Sequence, residues 1–295
     1  MDKSKYIIDN ETYILAKDKN KNNVTNHQIH DIVFKIILEV DRLCRKHHIP
    51  YALGFGSALG LYNYGGFIPW DDDADIVLEY HDYLRLVEVL KNELGEDFTF
   101  ECYEVDDRCN VLIPPMKIRY KHSYIKERNS FTLPNRTKRG NGVFIDVCPF
   151  MGVPENIKEH KKLIRKSKWM MPIYVFLDAL LHINPKHMKK SLKRFEKEVV
   201  GKYKDSNYVS QTVIIPFQDH PKKYVHSLSF PKDVIYPFKE YEFNGKMLYS
   251  FNNVEEFARL RYGDNALKYY DGEKYISRFK HKKESEHLKK VDIFK

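Results

Sequence analysis

Gly56-Ser57-Ala58-Leu59-Gly60, then Gly66-Phe67-Ile68-Pro69-Trp70-Asp71-Asp72-Asp73-Ala74-Asp75-Ile76-Val77-Leu78, is the stretch on which the fold turns. Residues 73–78 end in an apolar, β-prone run and read as a strand. Side chains alternate across a strand, so Asp71, Asp73 and Asp75 share one face. Carboxylates this close raise one another's pKa unless a cation offsets the charge. Clustered oxygen ligands of this kind suit Mg²⁺. A bare run of Asp would be an ordinary solvated turn, but the upstream Gly-Ser changes the reading. As a turn opening a short helix over residues 58–62, it offers backbone N–H groups and a hydroxyl to a phosphate. A further acid, Asp146, sits alone inside the apolar run Val143-Phe144-Ile145-Asp146-Val147. A charge there is costly unless paired or metal-bound.

Working outward, Thr25-Asn26-His27-Gln28 reads as a capping box. Ile29, Ile32, Val33, Ile36, Val40, Leu43 and Cys44 follow at helical spacing, giving a helix that ends near His48, before Pro50. Residues 51–55 read as a short strand and 65–70 as a loop. A second amphipathic helix covers 81–94, and strands are expected over 98–105, 111–120 and 142–147. Helices alternating with strands indicate an α/β or α+β core over residues 25–155. Residues 1–24 read as a polar leader without the apolar run of a signal peptide. Residues 156–205 are dense in Lys and Arg and read as helix. The C-terminal part, 206–295, is expected to pack on the core. It holds a loop-rich stretch over 216–237, a hairpin over 240–249 turning at Asn244-Gly245, and a helix over 254–262 capped by Asn253.

Lys and Arg number 50 against 41 Asp and Glu, a net charge of +9, and 42% of residues are hydrophobic. That balance fits a soluble globular protein, argues against disorder, and favours anionic partners. Cys44, Cys102, Cys109 and Cys148 form no Cys-x-x-Cys pair. Neither a zinc knuckle nor a disulfide framework is indicated, and a reducing, cytoplasmic setting is expected. The longest apolar stretch, 169–183, contains Pro172 and Asp178 and falls short of the roughly 18–20 residues needed to span a bilayer. Basic flanks at Lys161-Lys162 and Lys189-Lys190 make it suited to peripheral contact with an anionic membrane. A pair of core-packed helices with solvated lysines is the plainer alternative.

Gly-Ser followed by Asp-x-Asp on a strand is the signature of nucleotidyltransferase-fold enzymes. The longer strings at 56–60 and 66–76 resemble the defining motif of the LicD family. Phe144-Ile145-Asp146-Val147-Cys148-Pro149 and Arg261-Tyr262-Gly263-Asp264 resemble later parts of it. The resemblance covers residues 30–150, thins through the basic middle, and returns at 240–270. It implies a nucleotidyltransferase-like mixed-sheet core flanked by helices, with a helical basic insertion and a C-terminal elaboration. It also implies transfer of a phospho-alcohol, phosphocholine foremost, from a CDP-linked donor with release of CMP. The acceptor would be a hydroxyl of a cell-surface glycan or polyol phosphate, such as teichoic acid, capsule or lipopolysaccharide, in a lipid-linked form. Fukutin and fukutin-related protein, the animal members, use CDP-ribitol. Nucleic acid is not an expected partner.

On this resemblance Asp73, Asp75 and Asp146 are the catalytic acids and hold Mg²⁺ (or Mn²⁺), with general-base duty an alternative for Asp146. Gly56 and Ser57 contact phosphate. Lys117 and Arg119 alternate to one strand face and neutralise the diphosphate. Trp70 stacks on the cytosine or a choline ammonium, or packs beneath the loop. Asp72, grouped with the substrate-binding residues, faces away from the metal pair and caps or pairs with a basic group. Arg261-Tyr262-Gly263-Asp264 reads as a packing and helix-capping element. Ala74 stands where a larger aliphatic is usual, and Tyr120-Lys121-His122-Ser123 replaces a region where a Thr is frequent. Two other functions stay open: a nucleotidyltransferase that attaches NMP to a small molecule or RNA and releases pyrophosphate, and a non-enzymatic membrane-associated accessory protein.

Overall fold

The computed structural model describes residues 12–109, 111, 116–127, 142–168, 173–174, 176–177, 181, 183–211, 229–264 and 288–294. In chain order the strands are β1 (Ile14–Lys17), β2 (Asn23–Thr25), β3 (Ala52–Leu53), β4 (Asp75–Glu79), β5 (Phe98–Cys102), β6 (Met116–Tyr120), β7 (Ser123–Glu127) and β8 (Phe144–Gly152). They continue with β9 (Tyr208–Ser210), β10 (Phe230–Pro231), β11 (Lys239–Phe243), β12 (Lys246–Ser250) and β13 (Leu288–Ile293). The helices are α1 (Asn26–Lys46), α2 (Phe55–Tyr64), α3 (Tyr80–Glu93), α4 (Ile157–Lys168), α5 (Lys186–Lys202), α6 (Lys232–Ile235) and α7 (Val254–Tyr262).

β8 is the axis of the main sheet. Its sequence is nearly continuously apolar and buried on both faces, as suits a central strand. β4 runs parallel to it on one side, with Asp75 opposite Asp146. β6 runs antiparallel to its first half, placing Lys117 opposite Asp146, and β5 lies beyond β6. β3 pairs antiparallel with β4 and parallel with β12, and β11 closes that edge. β9 and β10 continue from the last residues of β8. The sheet is therefore mixed and flanked by helices, as expected of an α+β nucleotidyltransferase-like fold.

Local chemistry explains most element boundaries. The Thr25 N–H donates to Gln28 Oε1 at 3.0 Å, so the capping box forms. α1 then buries Ile29, Ile32, Val33, Ile36, Ile37, Val40, Leu43 and Cys44. Asn244 (φ 47°) and Gly245 (φ 74°) make the tight turn of the β11–β12 hairpin, because two successive positive φ values match the twist of the flanking strands. Asn253 caps α7 by accepting the Glu256 N–H at 3.0 Å. All four cysteines are buried free thiols.

Residues 12–24 depart from the polar leader. Tyr13, Leu15, Ala16 and Val24 are buried in the main core, and β1 packs on β13. Two strands of three or four residues each carry too few apolar side chains to show a period. Among the described residues the basic segment includes the helices α4 and α5. The inner face of α5 buries Leu192, Val199 and Val200, and the two valines pack with Tyr80, Met151 and Val153. Most of the expected loop-rich stretch, 216–228, lies outside the described residues.

Gly60 locks α2 against the acidic loop. A Cβ there would sit 2.5 Å from the Gly66 carbonyl oxygen and 3.0 Å from the Ile68 nitrogen, both backbone atoms. Gly60→Ala is therefore expected to cost about 1–3 kcal/mol in a denaturant melt. An unchanged midpoint would mean the loop is not held this closely.

Candidate active site

Strand pairing begins only at Asp75, yet the extended conformation starts earlier. Asp71, Asp73 and Asp75 are partly exposed, while Asp72 and Ala74 are buried. The Asp146 N–H donates to the Ala74 carbonyl at 2.8 Å, which holds the loop straight as it enters β4. The alternation expected for a strand thus extends over a segment that is not paired as one. Carboxylate oxygens of Asp71, Asp72 and Asp73 lie within 4.8 Å of one another. This convergent group differs from the expected trio of Asp73, Asp75 and Asp146. Asp75 and Asp146 instead stand side by side on neighbouring strands, just beyond it.

Asp71 is more central than the sequence suggested. A Cβ on Gly56 would lie 3.0 Å from Asp71 Oδ2 and 4.0 Å from Asp75 Oδ2. Gly56 is thus the floor against which two carboxylates rest, and its missing side chain makes their approach feasible. Ser57 is buried, and its Oγ accepts the Asp75 N–H at 3.0 Å. The hydroxyl keeps its own proton to donate. Both residues lie in the first turn of α2. They follow Phe55, which adopts φ 41°. A non-glycine residue there costs of order 1 kcal/mol or more and persists only where packing dictates it. The Phe55 ring is fixed edge-on by Phe150 at 5.7 Å and Phe257 at 6.1 Å.

The two expected cations separate. Lys117 Nζ donates to Asp146 Oδ1 at 3.0 Å, and both side chains are largely buried. Arg119 is 1% exposed and donates through Nε and Nη2 to Glu101 Oε1 at 2.9 and 2.7 Å, and through Nη1 to the Gly142 carbonyl at 3.1 Å. Its guanidinium is committed to holding β5, β6 and the start of β8 together. Trp70 packs edge-on against Tyr13 at 5.7 Å and Tyr64 at 6.0 Å. Asp72 is 2% exposed, and its Oδ2 accepts the Leu288 N–H at 3.1 Å. Asp72 thereby anchors β13 beneath the acidic loop. Asp72→Ala would remove that buried acceptor. It is expected to cost about 1–3 kcal/mol, checked by chemical denaturation; Asp72→Asn, which keeps an acceptor, should cost less.

One residue near the acids was not singled out by the sequence, and another was read only as part of a capping motif. His30 Nε2 lies 2.9 Å from the Asp71 carbonyl oxygen, and its ring stacks on Phe67 at 4.5 Å. A carbonyl only accepts, so Nε2 carries a proton. Burial pushes the imidazole pKa down to about 4, so His30 is a neutral donor bracing the loop. It lies at the edge of the buried face of α1, one turn from Asn26 and Val33. Tyr262 is the other. Burial pushes its hydroxyl pKa up, Arg261 beside it opposes the shift, and the charges of Asp75 and Asp71 add to it. Arg261, beside it, lies 5.6 Å from the Phe55 ring. Gly263 (φ 85°) ends α7, as the capping reading of that motif expects. Cys148 is fully buried. Its thiol pKa is pushed well up, chiefly by burial, and Gln211 Nε2 donates to its Sγ at 3.0 Å.

Among known families, residues 48–177 match the LicD/FKTN/FKRP nucleotidyltransferase domain. The chain is 27% identical over 240 residues to the lipopolysaccharide cholinephosphotransferase LicD of Haemophilus influenzae, covering 75% of this chain and 84% of that protein. It is also 30% identical over 71 residues to an uncharacterized protein, RP689, of Rickettsia prowazekii, covering 23% of this chain and 27% of the relative. The matched domain contains the Gly-Ser turn, all the acids and Lys117.

Proposed function

Because residues 48–177 of this chain are a LicD-family nucleotidyltransferase domain, we propose that the protein is a phosphotransferase moving phosphocholine from a CDP-linked donor to a hydroxyl of a cell-surface glycan such as lipopolysaccharide, with release of CMP. The observation that carries this reading is the meeting of the acid cluster with the Gly56-Ser57 turn. The start of α2, whose backbone would contact phosphate, lies against carboxylates that would hold a cation. The likeness to a cholinephosphotransferase over most of the chain supports the choice of alcohol and acceptor.

The residues fit a divalent cation. Three carboxylate oxygens converge within 4.8 Å, with Asp75 bordering them, and Mg²⁺ favours such oxygen donors. Asp73, with Asp71 and Asp72 converging on it and Asp75 beside them, would hold Mg²⁺ or Mn²⁺, which when bound would neutralise the charge of the diphosphate. Transfers of this type need positioning and electrostatics more than covalent chemistry. The start of α2 and the free proton of Ser57 face the phosphate. Asp146, partly exposed and held by Lys117, takes the proton of the acceptor hydroxyl. Arg119 contributes by fixing the strand that carries Lys117.

The test is direct. The purified chain is supplied with CDP-choline, Mg²⁺ and a lipopolysaccharide acceptor. CMP and a choline-bearing glycan are expected. Pyrophosphate released from CTP, with no CMP from CDP-choline, would instead support nucleotidyl transfer. Addition of EDTA should abolish CMP formation and excess Mg²⁺ restore it; activity in EDTA would remove the cation from the scheme.

A further inference from the structure

The outer face of α5 carries Lys190, Arg194 and Lys197 at helical spacing, and Lys204 follows on the same line. All four are exposed, and none has an ion-pair partner among the described residues. They line a groove of about 1040 Å³ between α5, the start of α3 and the turn after β5. Lys193, on the same wall, is different: it is locked to Glu104 at 2.8 Å and to Glu196. The groove therefore has its structural ion pair already and a surplus of unspent positive charge.

The chain running into α5 is apolar where it meets water. Ile173, Phe176, Leu181 and Ile183 are 44, 50, 49 and 52% exposed. Scattered exposed apolar residues need no explanation, but four large ones within one short segment do. This segment is tied to the groove. Asn184 Nδ2 donates to Asp107 Oδ1 at 3.2 Å, and Lys186 Nζ pairs with Asp107 Oδ2 at 2.9 Å; Asp107 is itself a groove wall. Lys189 is fully buried, and its ammonium donates to the carbonyls of Asp107, Arg108 and Cys109 at 3.1, 3.0 and 2.8 Å. A buried ammonium chelated by three carbonyls makes the junction rigid, so the apolar segment and the cationic groove are presented together.

We propose that this face rests on a bilayer bearing anionic headgroups. Ile173, Phe176, Leu181 and Ile183 enter the headgroup–acyl boundary, while the cations of the groove take lipid phosphates. A protein partner with an apolar face would cover the first patch and leave four cations unpaired. A soluble polyanion would satisfy the cations and leave the apolar side chains in water. A charged bilayer satisfies both. No helix among the described residues is long and apolar enough to cross a membrane, so the contact is peripheral. The groove lies at the Glu79 end of β4, roughly 13 Å along the strand from Asp75, so docking leaves the acid cluster open. This deepens the proposed function, since it brings the site to a lipid-borne acceptor. Its test needs neither donor nor turnover, so either reading can fail alone.

The full chain is co-sedimented with vesicles of phosphatidylcholine, with and without phosphatidylglycerol, at low and high ionic strength. Binding is expected only with phosphatidylglycerol, and it should weaken with salt. The triple change Lys190→Glu, Arg194→Glu and Lys197→Glu should weaken binding at least about tenfold. Phe176→Ser with Leu181→Ser should weaken it by a similar factor. Both variants should keep the wild-type Tm and the CMP formation of the protein in solution. No binding at low salt overturns the proposal, as does equal binding to phosphatidylcholine alone. Loss through the charge variant with no effect of the apolar variant also overturns it, in favour of a soluble polyanion.

Discussion

Asp75→Asn is expected to lower CMP formation by about 10²–10³-fold, the scale seen when one preorganised electrostatic contact is lost, while the Tm stays at or above the wild-type value. The fold does not use this carboxylate for its backbone pairing. The Asp75 N–H goes to Ser57 Oγ, its carbonyl accepts the Gly54 N–H at 3.0 Å, and both bonds survive in Asn. Removing one of several crowded negative charges relieves repulsion in the metal-free protein. The informative measurement is paired melts in EDTA and in Mg²⁺. Wild-type Tm should rise with Mg²⁺, because a ligand that binds only the folded state stabilises it; the variant's should rise less. Asp73→Asn and Asp71→Asn should follow the same pattern. Wild-type turnover in Asp75→Asn would refute its assignment, whatever the melts show.

Lys117→Met carries the second large effect. Removing one partner of a buried ion pair strands the other charge, at a cost of about 3–5 kcal/mol. Here Asp146 would be left facing Asp75 across the parallel pair with no ammonium at 3.0 Å. The loss should be greatest in EDTA and smaller in Mg²⁺, since a cation in the adjacent cluster can relieve the same charge. Urea melts of wild type and variant with and without Mg²⁺ measure this as the difference of two differences. A loss independent of Mg²⁺ would separate Asp146 electrostatically from the acid cluster. Lys117→Met/Asp146→Leu should recover most of the stability without recovering turnover, because an apolar pair of similar volume removes both charges at once.

The sequence revealed those parts of the fold whose causes are local. The capping box at Thr25, the Asn244-Gly245 turn and the Asn253 cap each depend on a few adjacent residues, and each is where the residues placed it. The acidic strand was legible for the same reason: period-two exposure follows from extended backbone alone. What escaped depends on distant partners. Arg119 looked like a twin of Lys117 on one strand face. Only the pairing of β5 with β6 sets Glu101 where it can claim the guanidinium. Asp71 ranked behind Asp73 until Gly56 placed it over the turn. α7 packs beside α2, which carries Gly56 and Ser57, a contact between segments nearly 200 residues apart that no periodicity reports.

The bond between Asp72 and the Leu288 amide has a consequence for how the protein comes into being. While the chain is being synthesised from its N-terminus, every acid of the cluster emerges long before residue 288. The bond from the Leu288 amide to this carboxylate therefore forms only after β13 has left the ribosome, and the packing of β1 on that strand waits with it. A nascent chain holding every acid of the cluster would still lack the strand that meets Asp72 beneath the acidic loop.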